Sequence, residues 1–340
     1  MAARLLKSIL YRWRSASQKH QPGGFTLIEL LVGTLLAAIV VTGLLDLVVQ
    51  LMQANQQESA QTETQRDMQT ALDFISSELR EAVYVYGGNC LQGQTTPTWC
   101  PGIVNSVNAP ASSIPILAFW KLEPLPTQFY QTGGVCTISP IPSNCNSGRT
   151  YTLVIYFLSK NNLSATWPGK ARIMRYALTQ YNAAGTLNTN YVDPNQTSVG
   201  FVNWPYKVSG LTQTNLLANP LNSDSTNTAV LVDFVDDTAR PTVGDNSITC
   251  PTSDYVLSPN ITTLNTSVTS PTSLFSTTNT NIRSFYACVR GVTSYNQDAF
   301  VFLRGNASGR PGISNDSFLP TLQTQVLSHG IINDIPAVLQ

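Results

Sequence analysis

The feature that most constrains this chain is a long apolar run close to its amino end. Between Phe25 and Met52 the only ionisable side chains are Glu29 and Asp46, and the run contains no proline. A helix needs about 20 such residues to cross the hydrocarbon core of a bilayer. We therefore predict that residues 25–52 form a membrane-spanning helix.

Glu29 is the anomaly of this run. By insertion scales, a carboxylate inside an apolar helix costs about 2.5 to 3.5 kcal/mol, so the acid should have a partner or a function. The residues before the run are a basic leader, 1–24, which ends in Gly23-Gly24 and contains no Asp or Glu. Its cationic residues are Arg4, Lys7, Arg12, Arg14 and Lys19.

The stretch Gly23-Gly24-Phe25-Thr26-Leu27-Ile28-Glu29 resembles the class III signal of type IV pilin-like proteins, the prepilins and pseudopilins. In that family a prepilin peptidase cuts after the glycine and methylates the new amino terminus. The resemblance implies cleavage between Gly24 and Phe25, N-methylation of Phe25 and a role for Glu29 in assembly. Glu29 of an incoming subunit would pair with the charged Phe25 amine of a neighbour, so that two costly intramembrane charges neutralise each other.

The resemblance also implies partners and a place in the cell. The partners are the prepilin peptidase, other pilins or pseudopilins, membrane lipid before assembly and, indirectly, an inner-membrane platform protein and an assembly ATPase. No cofactor is implied. By the positive-inside rule the leader stays cytoplasmic, which puts the rest of the chain outside the inner membrane and then in the filament.

Three other readings of the amino end are weighed against this one. A cleavable secretory signal has its cleavage site after the apolar run, whereas Gly23-Gly24 precedes it. A plain single-pass anchor needs neither the glycines nor the acid. Double-glycine leaders of exported peptides precede short cargo without a span of about 20 residues.

Composition favours an extracytoplasmic β-rich domain. The 340 residues are 42% hydrophobic and only 11% charged. Loss of the five leader cations would leave 14 Lys and Arg against 19 Asp and Glu, whereas nucleic-acid binders are normally basic, so nucleic acid is an unfavoured partner. The one local basic cluster is interpreted as a solvated strand face: Lys160, Lys170, Arg172 and Arg175.

All six cysteines follow the predicted span, where an oxidising compartment favours disulfides. Spacing favours Cys90 with Cys100, Cys136 with Cys145, and Cys250 with Cys288, among about 15 possible connectivities. Zinc is the rival reading, but the chain has no CxxC pair and no histidine near a cysteine.

Helical periodicity continues beyond the span. Apolar residues at spacings of three and four predict an amphipathic helix over residues 53–87 that docks on the globular domain and ends at a Gly87-Gly88 C-cap. They are Met68, Leu72, Ile75, Leu79, Val83 and Tyr86.

From residue 88 to residue 340 the sequence predicts an extracytoplasmic β-rich domain with long loops. The expected fold is α+β: a long amino-terminal membrane-spanning helix packed on a carboxyl-terminal antiparallel sheet. Gly185 to Thr280, rich in Thr, Ser and Asn, is expected to hold few strands. The predicted strands are Ile114–Lys121, Tyr151–Leu158, Ala171–Leu178, Ala229–Val235, Ile282–Arg290 and Ala299–Arg304.

Two further resemblances narrow the family. Tyr151–Leu158 followed by Arg172–Tyr176 resembles the hairpin of large minor pilins and pseudopilins of the J or W type. Tyr286–Gly291 and Phe300–Ala307 resemble the carboxyl end of cyanobacterial pseudopilins of hormogonium polysaccharide secretion. They imply a filament subunit that aids secretion and motility.

The sequence offers little for catalysis. Its two histidines are His20, which leaves with the leader, and His329. Asp233, Asp236 and Asp237 fit no EF-hand spacing and are interpreted as a solvated strand end rather than a calcium site. We therefore expect a structural filament subunit, not an enzyme. The alternatives are a filament-tip adhesin or DNA- or polysaccharide-binding module, and a membrane-anchored extracytoplasmic enzyme.

Overall fold

The structure is a computed structural model, and chain contacts divide it into two units, Met1–Asn55 and Gln56–Gln340. The described residues are 24–92, 100–103, 106–107, 110, 113–126, 129, 148–160, 166–182, 184–188, 190–197, 200–209, 212–217, 227–237, 250–259, 284–290, 297–313, 315 and 318–328.

The helices are α1, Leu27–Arg80, and α2, Gly88–Gln92, with a 3-10 turn at Pro194–Gln196. The strands are β1 Ala82–Val85, β2 Ser113–Pro124, β3 Arg149–Ser159, β4 Ala171–Leu178, β5 Tyr206–Ser209, β6 Thr212–Asn215, β7 Thr228–Val235, β8 Tyr255–Ser258, β9 Phe285–Arg290, β10 Asp298–Arg304 and β11 Thr321–Leu327. The fold is α+β, as predicted.

The strands of the second unit form two main antiparallel sheets. The larger has the order β1-β2-β3-β4-β7 and the smaller has the order β11-β10-β9-β8, while β5 and β6 pair as a hairpin. All six strands predicted from the sequence are present, and β4 has the predicted bounds. Four of the strands lie in or next to the Thr-, Ser- and Asn-rich region between Gly185 and Thr280, which is therefore less strand-poor than expected: β5, β6, β7 and β8.

The larger sheet is buried on both faces. On one face the alternate residues of β2 and β3, such as Phe119 and Tyr156, pack against α1 in a cluster that also includes residues of β9 and β10. On the other face Trp120 and Ile155 pack under Phe201 and Trp204. Burial on both faces explains why β2 and β3 are near-continuous apolar runs rather than alternating ones.

The carboxyl-terminal part of α1 docks through one stripe. Met68, Leu72, Ile75 and Leu79 are each at most 2% exposed, which confirms the predicted docking face. Burial of such side chains stabilises the fold by about 1.5 to 3 kcal/mol each. The stripe begins earlier than the apolar pattern indicated, because Ala60 and Thr64 are also buried.

The helix does not reach Gly87, and the predicted Gly87-Gly88 C-cap is wrong. α1 ends at Arg80, and the next residues form strand β1, which pairs with β2. Ala-Val-Tyr-Val is rich in β-branched and aromatic residues, and pairing with a buried strand outweighs the helical spacing of Val83. Residues 82–87 therefore belong to the sheet domain rather than to the helix.

Gly88 has a different reason to be glycine. A Cβ at this position would lie 2.0 Å from the carbonyl oxygen of Leu257 and 2.8 Å from the Cα of Ser258, so the start of α2 lies directly on the backbone of β8. At Gly87 the nearest atom to an added Cβ is the Cβ of Val256, at 4.0 Å. The close approach places Cys90 of α2 for its disulfide with Cys100.

The side chain of Gln297 joins the two sheets. Its Oε1 accepts a hydrogen bond from Val85 N at 2.9 Å, and its Nε2 donates to Val85 O at 3.2 Å. The amide thus pairs with β1 as the backbone of another strand would. Gln297 itself lies directly before β10 of the smaller sheet.

A buried carboxylate ties the last turn of α1 to the larger sheet. Glu78 accepts hydrogen bonds from Arg175 of β4, with Nε to Oε2 at 2.8 Å and Nη2 to Oε1 at 2.7 Å. Lys121 of β2 lies 2.8 Å from its Oε1, and the Tyr156 hydroxyl of β3 donates to Oε2. One carboxylate therefore contacts three neighbouring strands.

These contacts determine the ionisation of Glu78. Burial opposes the charged form, but the hydrogen bonds from Arg175, Lys121 and Tyr156 outweigh it and lower the pKa from 4.5 to about 2. Because the folded pKa is depressed, the stabilisation is complete above pH 4.5 and is lost as the pH falls towards 2. The Glu78 network is thus a source of acid sensitivity.

We predict that Glu78→Gln lowers the free energy of unfolding by about 3 kcal/mol at pH 7, because Arg175 loses the carboxylate that binds it and Lys121 loses one of its carboxylate partners, while it keeps Glu123 at 2.9 Å. The difference from the wild type should shrink between pH 4.5 and about 2, where the wild-type carboxylate is itself neutralised. Denaturant unfolding of the full chain in detergent measures both. Glu81→Gln is the control, since Glu81 is 60% exposed and 3.7 Å from Lys121. A pH-independent difference for Glu78→Gln would contradict this account.

We predict that Gly88→Ala destabilises the fold by about 3 kcal/mol, because the added Cβ meets fixed backbone rather than a movable side chain. Gly87→Ala, its neighbour in the chain, should change the stability by less than about 1 kcal/mol. The same unfolding measurement compares the two. Equal effects of both substitutions would show that the β8 contact is not the constraint.

Candidate functional site

The first turn of α1 carries a helix-start signature. Glu29 N donates to Thr26 O at 3.0 Å and lies 3.3 Å from Thr26 Oγ1, so Thr26 is the N-cap. Glu29 is the third helical residue, which makes the pair a capping-box sequence, Thr-x-x-Glu. A carboxylate at this place is favoured by the positive end of the helix dipole. Thr26 was not singled out from the sequence, although its spacing from Glu29 was the signal that could have identified it.

The apolar residues of the first unit are exposed. Large side chains of α1 in this unit range from Leu27, 85% exposed, to Val32, 47% exposed. α1 is long and apolar enough to cross a membrane, and none of its most apolar window is buried. A core helix of a water-soluble domain would instead bury this surface. The exposure is what a lipid-facing or subunit-facing helix requires.

The predicted site residues Gly24, Phe25 and Glu29 lie together at this end of α1. Gly24 and Phe25 precede the helix, and Phe25 is 81% exposed. A Cβ added at Gly24 would meet no atom within 4 Å. Among the described residues, no side-chain hydrogen bond or ion pair to the Glu29 carboxylate is found. Within the described residues, the Gly24–Phe25 peptide bond and the Glu29 carboxylate are therefore both accessible to other molecules.

Two of the predicted cysteine pairs are bonded. Cys90 and Cys100 form a disulfide, as do Cys250 and Cys288. Both are pairings favoured by spacing. Cys136 and Cys145 lie outside the described residues.

The basic cluster is not a solvated strand face. Arg172 is fully buried, with its Nε 3.6 Å from Asp233 Oδ1. Arg175 binds Glu78 at 2.7 Å, and Lys160 lies 2.7 Å from Asp237. Three of the four cations thus neutralise carboxylates of the same domain, which removes them from any array for binding phosphates.

The aspartates of β7 and the residues after it have a structural role too. Asp233 accepts a hydrogen bond from Gly169 N at 2.8 Å, and Asp236, fully buried, pairs with Arg304. The prediction of a solvated strand end was therefore wrong for these two residues. Within the part of the chain that the structure describes, no cluster of His, Cys, Asp and Glu could hold a metal ion.

Comparison with protein families identifies the amino end. Residues 20–45 match the prokaryotic N-terminal methylation motif. The chain carries the methylation motif of type IV pilin-like proteins. The motif, together with the long apolar helix, implies a substrate of prepilin peptidase, membrane anchoring and pilin assembly partners. Searches of curated proteins and of solved structures found no significant match.

We predict that Gly24→Val slows cleavage by about a hundredfold, because a branched side chain displaces the peptide bond from the peptidase. Folding should be unaffected, since the space around Gly24 is open. Gly33→Val is the matched control, because a Cβ there is equally free of contacts. Mass spectrometry of the amino-terminal peptide after native expression detects the uncut leader. Normal maturation of Gly24→Val would place the cut elsewhere.

Proposed function

We propose that the protein is a minor pilin or pseudopilin, a structural subunit of a type IV pilus or of a type II secretion-like filament. The observation that carries this proposal is Glu29, whose carboxylate has no partner among the described residues, at the start of an exposed apolar helix and five residues after the proposed cut site. An anchor alone has no use for a charge that costs about 2.5 to 3.5 kcal/mol in the membrane. A filament subunit does have a use for this charge, since the amine of a cleaved neighbour is the complementary charge.

In this proposal the subunit enters the inner membrane with its leader in the cytoplasm, because the leader is the strongly cationic flank. The domain after the span lies on the extracytoplasmic side. Two disulfides in the described part of that domain support this topology, since disulfides persist in oxidising compartments. After cleavage and methylation of Phe25, an assembly ATPase and a platform protein extract the subunit into the filament.

The size of the domain supports a minor rather than a major subunit. Residues 81–340 follow the helix, and a domain of that size would crowd a densely packed shaft. We propose a structural role without enzymatic activity, and a contribution to secretion or motility through the filament.

We predict that Glu29→Val leaves leader cleavage intact and lowers incorporation into filaments by about tenfold or more, because the amine of the neighbour loses its counter-charge. Glu29→Gln, which keeps the shape, should behave in the same way. Asp46→Asn is the control, since Asp46 is the other acid of the apolar run and accepts a bond from Gln50 Nε2 at 2.8 Å within its own helix.

The measurement is the ratio of mature protein in sheared filaments to that in membranes, with the amino terminus checked by mass spectrometry. Normal incorporation of both Glu29 variants would rule out the pairing. Retention of the leader in the wild type, under native expression with the peptidase active, would rule out the filament proposal as a whole.

A further inference from the structure

Among the described strands, the smaller sheet ends at β11. β11 is the terminal strand of this sheet and pairs with β10 only, among the described strands. Gly305 N donates to Pro320 O at 2.9 Å, and Ser328 N donates to Gln297 O at 3.0 Å. In an antiparallel ladder the backbone groups of alternate residues bond to the same neighbouring strand. The backbone N–H and C=O groups of the even-numbered residues of this stretch therefore point towards β10. The backbone N–H and C=O groups of the odd-numbered residues point away from the sheet: Thr321, Gln323, Gln325 and Leu327.

This edge lacks the features that normally prevent strand pairing. The sequence Thr-Leu-Gln-Thr-Gln-Val-Leu contains no charged residue and no proline. Its register with β10 is unbroken over seven residue pairs, whereas β1, β2 and β7 each take part in a bulged pairing. All four odd-numbered side chains are exposed, and Leu327 is 60% exposed. A flat, uncharged edge of this kind is a template for another strand.

The strand is chemically symmetric about Thr324. Gln323 and Gln325 lie one residue on either side, and Leu322 and Val326 lie two residues away. An antiparallel strand with the same sequence, centred on the same residue, would therefore meet like with like from Leu322 to Val326, while Thr321 would lie opposite Leu327 at each end. With no charge on the strand, such pairing brings no like charges together.

We propose that β11 pairs antiparallel with β11 of a second copy of this chain, centred on Thr324. The register places Gln323 opposite Gln325 of the other copy as a hydrogen-bonded pair, which uses the outward backbone groups. Leu322 meets Val326 of the other copy on the face that contains the buried core residues Val301 and Leu303. The two smaller sheets, each of four strands, become one continuous sheet of eight.

Cysteine crosslinking tests the register. Thr324 of one chain would lie opposite Thr324 of the other in a non-hydrogen-bonded pair. The two Cα atoms of such a pair are about 4.5 Å apart, which is within the range that a disulfide spans. Thr324→Cys in the full chain, purified in detergent with its native disulfides oxidised, should form a covalent dimer on mild oxidation. Gln323→Cys is the control, because residues 323 of the two chains would be diagonal neighbours. Their separation of about 7 to 8 Å is too large for a disulfide.

Charge substitutions test the pairing without new cysteines. Gln323→Lys/Gln325→Lys places one lysine opposite another and should weaken the dimer by about tenfold or more in sedimentation. Gln323→Glu/Gln325→Lys shares the Gln325→Lys substitution but places a glutamate opposite each lysine, and it should keep the dimer and make it sensitive to salt. In both variants the lysine at position 325 lies near Asp298, to which Gln325 donates at 3.1 Å, so the folded monomer keeps a favourable contact.

Three results would overturn the proposal. They are a monomeric wild type with no Thr324→Cys crosslink, equal crosslinking of both cysteine variants, and dimers that respond equally to both charge pairs. A dimer held by the apolar helix would give the last of these results, because the helix is unchanged in every variant. The proposal is independent of leader cleavage and of Glu29, so its failure would leave the filament proposal untouched.

Discussion

The sheet domain depends on the network of ion pairs and hydrogen bonds around the Glu78 carboxylate. This carboxylate lies in the last turn of α1, where the helix dipole disfavours an acid. Its position is favourable only because Arg175, Lys121 and Tyr156 reach it from three strands. The stripe of buried apolar side chains supplies more free energy, but hydrophobic contact alone is non-directional. The ion pairs specify where the helix ends on the sheet, and β1 follows directly from that point.

Glu29 and Glu78 show two ways in which one helix carries an acid. Glu78 is neutralised within its own subunit by two cations that are ion-paired with it at 2.7 and 2.8 Å. Glu29 has no such partner among the described residues, and its surroundings are exposed apolar side chains. A charge satisfied internally stabilises a fold, whereas a charge left unsatisfied in an apolar setting favours association. In the proposed function, stability and assembly are therefore properties of opposite ends of α1.

Local pattern predicted much of this structure. The apolar run, the docking stripe at Met68 to Leu79 and six of the nine strands of the two main sheets follow from residue type and period; β1, β8 and β11 were not predicted. Prediction failed where a distant partner decides the outcome. Val83 has helical spacing but lies in strand β1, because β2 pairs with its neighbours Ala82 and Tyr84. Gly88 looks like a helix stop, yet its role depends on Leu257, far along the chain. The burial of Arg172 and Asp233 likewise depends on the pairing of β4 with β7.

The side chain of Gln297 has a consequence for how far strand pairing can extend. An endless ribbon of sheets requires two free edges on every unit, one to give and one to receive. In this domain the outward backbone groups of Val85 on β1 are already bonded to the Gln297 amide. The proposed β11 pairing, in contrast, uses the same edge on both chains, which is a symmetric contact that closes on itself. Growth through the β11 edge alone therefore stops at two chains.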